Sequence, residues 1–96
     1  MINWEYKDYR PAGFECWEAR MNSYYSITVT KLSDAGTRFT VRWYYKDMTD
    51  LKEHFDAKDW DEAKVTAVNI IRDYLERQAN HWHSMTVGFA SWTGVD

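Results

Sequence analysis

One segment of this chain gathers basic and aromatic side chains on a single strand face. Residues 37–47 alternate between apolar and polar with period two, so Arg38, Arg42, Tyr44 and Lys46 share one side of a predicted strand. Basic groups that hold phosphate and rings that stack on bases are typical of single-stranded nucleic-acid binders. The same residue types are enriched in protein interfaces, and an ordinary solvated strand face also carries them. The net charge of −3 favours a protein partner over nucleic acid.

A second candidate surface is acidic. Residues 47–62 hold seven acidic side chains and two lysines. Four of these acids are candidate partner-binding residues, because clustered carboxylates repel nucleic acid or compete with it for a basic groove. They are Asp47, Asp50, Glu53 and Asp56. The alternative interpretation is a solvated connection into a helix, whose N-terminal end favours acidic residues.

Catalytic and metal-binding patterns are weak along the whole sequence. His81 and His83 lie two positions apart, a spacing that points them in different directions on a helix, and no cysteine cluster accompanies them. The single cysteine, Cys16, carries no local signature of a nucleophile. The four glycines are isolated, so there is no phosphate-binding loop. We therefore expect no enzyme activity, no metal site and no cofactor.

The elements that position these residues are strands followed by a helix. Period-two alternation predicts strands over 14–21, 24–32, 37–47 and, more weakly, 51–55. An apolar stripe with helical spacing runs through the following segment and predicts one long amphipathic helix. Asp59, followed three residues later by Glu62, is a variant of the capping box at its start.

The resulting fold class is α+β: an antiparallel sheet of three to five strands with one long amphipathic helix packed on one face. The length of 96 residues predicts one domain. We divide it into an N-terminal segment (1–12), the sheet (14–55), the helix (59–83) and a possible strand or arm (85–92).

Aromatic residues make up 18% of the chain, more than one small core can bury. The predicted core members are Trp17, Phe39, Trp43, Ile70 and Tyr74. The surplus predicts either an exposed binding or self-association surface or a second small core under the N-terminal segment.

Several short stretches between residues 14 and 79 form a recognisable layout. They comprise Trp17-Glu18-Ala19-Arg20, Tyr24-Tyr25-Ser26-Ile27, the run from Gly36 to Val41, Phe55, and Asp61-Glu62-Ala63-Lys64. This layout resembles small phage and prophage accessory proteins. The resemblance implies a phage-type origin within a group that includes inhibitors of host enzymes, anti-CRISPR proteins and nucleic-acid mimics. It assigns no site residue.

We therefore expect a small, non-enzymatic interaction protein that inhibits or modulates a host protein, with an anti-CRISPR protein or a nucleic-acid mimic as the sharper form. A module that binds single-stranded nucleic acid through the basic and aromatic strand face is one alternative. A homo-oligomeric structural protein, such as a homodimer, is another. No apolar run is long enough to cross a membrane, and the first residues lack signal-peptide order, so a cytoplasmic location is expected.

Overall fold

The computed structural model describes residues 2–32, 36–78 and 88–94. Five strands form one antiparallel sheet in which the spatial order follows the chain order. The strands are β1 (Glu5–Asp8), β2 (Glu15–Arg20), β3 (Tyr25–Lys31), β4 (Arg38–Tyr45) and β5 (Met48–Asp56). The α+β class and the antiparallel sheet are thereby confirmed.

The sheet has one apolar face, which we call the inner face. Ile27 and Val29 of β3 and Val41 and Trp43 of β4 are fully buried there. Because side chains alternate along a strand, this face receives every second residue of each strand. It therefore carries the core of the protein.

The helix α1 (Trp60–Arg77) packs on the inner face through a stripe of small and branched residues. Ala63, Ala67 and Ile71 are fully buried, and the two alanines let the helix backbone approach the sheet closely. The ammonium of Lys64 lies 3.6 Å from the centroid of the Trp17 ring, a cation–π contact between helix and sheet.

The start of α1 follows the predicted cap. The Asp59 side chain accepts a hydrogen bond of 2.9 Å from the backbone N–H of Glu62. Glu62 in turn accepts from the backbone N–H of Lys58 at 3.3 Å, one residue before the capping position. Two backbone donors at the helix start are satisfied in this way.

A second, short helix, α2 (88–93), completes the described fold. Its buried Phe89 packs edge-on against Trp43, with ring centroids 5.4 Å apart, so α2 also lies on the inner face. No helix in the described ranges is both long and apolar enough to cross a bilayer.

The ends of β2, β3 and β4 lie within one or two residues of the predicted ones, and three larger differences from the sequence prediction occur elsewhere. Within the N-terminal segment (1–12), residues 5–8 form an edge strand, β1, because Tyr6 packs against Trp17 across the ladder with ring centroids 5.3 Å apart. The fourth predicted strand, 51–55, extends to Met48–Asp56.

The possible strand over 85–92 is wrong for residues 88–92, which are helical. The helical conformation brings Phe89 and Trp92 together at a centroid distance of 5.7 Å, and both pack on the core. The predicted end of the first helix at residue 83 and positions 85–87 lie outside the described residues, as do His81 and His83.

Candidate functional site: the open face of the sheet

The face of the sheet opposite α1, here called the open face, carries no helix among the described residues. Both described helices pack on the inner face, where the apolar core lies. An antiparallel sheet commonly leaves one face to solvent, and that face then presents polar residues. The open face is therefore a polar surface built from all five strands.

One row of side chains crosses the open face from edge to edge. The strand register places five residues side by side, one from each strand: Glu5, Glu18, Thr28, Arg42 and Lys52. We call this the charge row. Its charges run from acidic on β1 and β2, through a neutral residue on β3, to basic on β4 and β5.

The neighbouring row is mostly uncharged. It consists of Lys7, Cys16, Thr30, Thr40 and His54, again one residue per strand. Thr40 is fully buried, and its hydroxyl lies 2.7 Å from Nδ1 of His54, so the polar oxygen is hydrogen-bonded. We call these five residues the hydroxyl row.

A groove of about 570 Å³ runs over the open face. Its floor is made of small side chains: Cys16, Ser26, Thr28 and Thr30. Longer side chains stand at its sides. Strands β1 and β2 supply the acidic Glu5 and Glu18 together with the basic Lys7 and Arg20, and β4 supplies Arg42 and Tyr44. The groove exists because small residues occupy the middle of the sheet while large ones occupy its flanks.

Exposed aromatic rings border the groove at one end. Tyr9 and Phe14, in the connection between β1 and β2, are each about half exposed and line the groove. The Tyr9 hydroxyl donates to a carboxylate oxygen of Glu18 at 3.3 Å, which holds this ring beside the acidic side.

A second aromatic cluster lies where β3 begins and β4 ends. The rings of Tyr24 and Tyr45 stack with centroids 6.2 Å apart, and the Lys46 ammonium lies within 6 Å of both. Lys46 has a φ of 57°, a left-handed conformation in the tight turn that joins β4 to β5. Its side chain and that of Asp47 line the groove.

The chemistry of the floor is unreactive at neutral pH. Burial raises the pKa of the Cys16 thiol to about 11, and the nearby Glu18 carboxylate adds to the effect. A protonated thiol is a poor nucleophile. Near the rim, hydrogen bonds from Arg10 lower the pKa of Asp8 to about 2, so that carboxylate remains charged.

The basic and aromatic residues predicted from the sequence lie in two different places in the structure. Arg42, Tyr44 and Lys46 all line the groove. Arg38 instead forms an exposed ion pair with Asp56 at 3.2 Å on the neighbouring strand.

The acidic residues singled out from the sequence do not form one surface. Asp47 lies in the turn beside the groove, and Asp56 pairs with Arg38. Asp50 accepts a hydrogen bond from the Tyr74 hydroxyl of α1 at 3.0 Å, so it lies toward the helix. Glu53 shares the strand face of the buried Phe55, since the two are separated by two positions.

Sequence reasoning missed the acidic side of the groove. Glu5 belongs to a strand that was not predicted. Glu18 is identified as part of the groove only by the strand register, which places it opposite Thr28. The alternation of Glu18 and Arg20 with Trp17 and Ala19 was the available signal, since it places both charged residues on the polar face.

No group of three or more histidine, cysteine or carboxylate side chains with metal-binding geometry occurs in ranges 2–32, 36–78 and 88–94. In comparisons with known proteins, no family model, no curated protein and no solved structure matches this chain.

Proposed function

We propose that this chain is a non-enzymatic protein-binding module and that the open face of its sheet is the binding surface. The observation that carries the proposal is the groove, which combines charges of both signs, a floor of small polar residues and exposed aromatic rings. In the phage-type interpretation, the module inhibits or modulates a host protein through this surface.

The distribution of charge supports a protein partner over nucleic acid. Among the residues that line the groove are three carboxylates, Glu5, Glu18 and Asp47, and four basic side chains, Lys7, Arg20, Arg42 and Lys46. A phosphate backbone that follows the basic residues therefore also meets carboxylates. Nucleic-acid affinity depends on neutralising phosphates, and each carboxylate in the groove opposes that gain. A protein surface presents both signs of charge and can satisfy both sides.

The residues on the groove are also those that contribute most to protein interfaces. Tyrosine and arginine are enriched among the interface residues whose truncation to alanine weakens binding by about 2 kcal/mol or more. Such residues typically lie near the centre of the interface. Tyr44 and Arg42 lie two residues apart on β4 and both reach the groove, while Tyr9 and Phe14 border it. Small floor residues leave room for a partner's side chains between them.

The separation of the acidic residues argues against mimicry of a nucleic-acid backbone as the mechanism. A mimic needs its carboxylates in one row, whereas Asp50 faces α1 and Asp56 is paired with Arg38. The groove is therefore the better candidate for the contact surface than residues 47–62.

The test is site-specific photo-crosslinking in bacterial cells. We replace Tyr44 with p-benzoylphenylalanine, an aromatic-for-aromatic change in the groove, and irradiate cells that express the full chain. The matched control carries the same photoreactive residue at Asp73, whose side chain is 61% exposed on α1. Protein adducts at position 44, absent at position 73, are expected.

A parallel titration with labelled single-stranded DNA and RNA at low ionic strength separates the alternatives. We expect no saturable binding. Saturable binding that Arg42→Glu abolishes, or adducts of nucleic acid in place of protein at position 44, would overturn the proposed function.

A further inference from the structure

The charge row is antisymmetric about the central strand of the sheet. Reading from β1 to β5, its members are Glu5, Glu18, Thr28, Arg42 and Lys52. Thr28 belongs to β3, the third of five strands, so each acid has a base at the same distance on the other side. A row with this arrangement is complementary in charge to a copy of itself. Lys7 and Arg20, on the same face of β1 and β2, lie outside this row.

We propose that a second copy of this chain covers the open face, in a two-fold dimer whose axis lies parallel to β3 above Thr28. This inference rests on the proposed function, since it takes the open face to be a protein-binding surface and names its partner. The rotation about such an axis turns the two open faces toward each other. It reverses the strand order, so β1 faces β5 of the second copy and β2 faces its β4.

The charges meet with opposite sign under this rotation. Glu18 faces Arg42 of the second copy, and Glu5 faces its Lys52; by symmetry each contact occurs twice. Within one chain, Glu18 and Arg42 are two strand spacings apart, about 10 Å, and Glu5 and Lys52 are four spacings apart, about 19 Å, too far to neutralise each other directly. The second copy brings a partner within reach of each one.

One neighbouring row is compatible with the same axis. Arg20, paired with Ser26 on β3, comes opposite Tyr44 of the second copy, because Ser26 also pairs with Tyr44. A guanidinium over a tyrosine ring is a favourable cation–π arrangement. In the hydroxyl row, Cys16, Thr30 and Thr40 are buried within their own chain. The members that meet across the axis are therefore the half-buried Lys7 and the exposed His54.

The size of the face predicts a weak dimer. Five strands spaced at about 4.8 Å and about seven residues long at 3.3 Å each give a projected area of about 500 Å² per copy. Stable complexes bury about 800 Å² per partner, so this contact belongs with the transient ones. We expect dissociation in the micromolar range, and another protein that binds the open face would compete with the second copy.

The test is analytical ultracentrifugation of the full chain across a wide concentration range. The wild type is expected to shift from monomer to dimer, and more weakly at high salt because the contact is electrostatic. Glu18→Arg and Arg42→Glu each place like charges opposite one another in both halves of the interface. Each is expected to weaken the dimer by about tenfold or more.

Two further measurements are specific to the two-fold arrangement. An equimolar mixture of the Glu18→Arg and Arg42→Glu chains is expected to form a heterodimer, because both facing pairs regain opposite charges. The double variant with both changes is expected to recover self-association. Asp73→Arg on α1 is the control and leaves the dimer unchanged.

Glu5 and Lys52, the outer pair of the charge row, provide a second set of variants. They are used if Glu18→Arg disturbs the fold through the lost hydrogen bond from Tyr9. Glu5→Lys and Lys52→Glu are at exposed edge positions and follow the same logic of loss and rescue.

A monomer at every concentration, or a dimer that the variants do not affect, would refute the inference. Protein adducts at position 44 from a strictly monomeric chain would still support the proposed function. The absence of both adducts and dimer would contradict the two together.

Discussion

Cys16 lies on the floor of the groove, in the middle of the surface that we assign to binding. Its side chain is nearly inaccessible, and burial together with Glu18 raises the thiol pKa to about 11. The unfolded chain has an ordinary thiol with a pKa of about 8.5. Folding therefore keeps the proton on this sulfur over the range between the two values.

Alkylation with iodoacetamide provides the measurement. Since the thiolate is the reactive form, the folded chain is expected to react slowly at pH 9, while the chain in urea reacts rapidly at the same pH. Because the thiol pKa is higher in the folded chain than in the unfolded chain, the protonated thiol adds to the free energy of unfolding. This contribution is complete below about pH 8.5 and is lost as the pH rises toward 11. An inflection near pH 8.5 in the folded chain would contradict the assignment.

Lys46 shows a different property at the same scale. Its positive φ is a conformation that costs a residue with a Cβ about 1–2 kcal/mol. The side chain nevertheless lies over the rings of Tyr24 and Tyr45 and reaches the groove. A residue with positive φ therefore lies at the rim of the candidate binding surface.

At the scale of elements, the start of α1 depends on one side chain. Asp59→Ala removes the acceptor for the Glu62 N–H and is expected to lower the free energy of unfolding by about 1 kcal/mol. Urea denaturation measures the change, with Asp59→Ser as the matched control because serine caps nearly as well. Equal losses for the two variants would show that the cap is not the cause.

The sequence predicts strands β2 to β5 and α1 because their patterns are local. In β4, Phe39, Val41 and Trp43 alternate with polar residues and are all buried. The stripe of α1 repeats at helical spacing and includes the buried Ala63, Ala67, Ile71 and Leu75. Each pattern records which side of the element faces the core.

Elements that are stabilised by residues distant in the sequence show no such local pattern. The four residues of β1 include three charged ones, and the strand forms because β2 offers a ladder and Trp17 a surface for Tyr6. The alternation in the sequence of residues 85–89 suggests a strand. In the structure, the helical spacing of Phe89 and Trp92 places both rings against the core.

The part of the candidate site that lies on β4 is predictable from the sequence, and the part on β1 and β2 is not. Arg42, Tyr44 and Lys46 share a face by simple alternation within one strand. Glu5 and Glu18 join them only through the register of three strand pairs, which no single segment encodes.

At the scale of the whole molecule, the two faces of the sheet have separate tasks. The inner face holds the apolar core beneath α1 and α2, while the open face carries both signs of charge. Changes on the open face are therefore expected to alter association with little effect on the fold of the monomer.

A concentration series of thermal melts tests this separation. A second copy that binds only the folded chain stabilises it by mass action, so the wild-type melting temperature is expected to rise with protein concentration. Arg42→Glu is expected to abolish the rise while preserving the melting temperature at high dilution. A wild-type melting temperature that does not depend on concentration would contradict the dimer.

The strand order has a consequence for how the chain reaches its fold. Every hydrogen-bonded strand pair joins segments that are neighbours in the sequence, so each pairing closes a short loop. Local connections of this kind favour rapid folding. During synthesis the strands leave the ribosome in the order in which they pair, and α1 follows directly after β5. The meander thus matches the direction of translation, with the helix arriving when the sheet that it covers is complete.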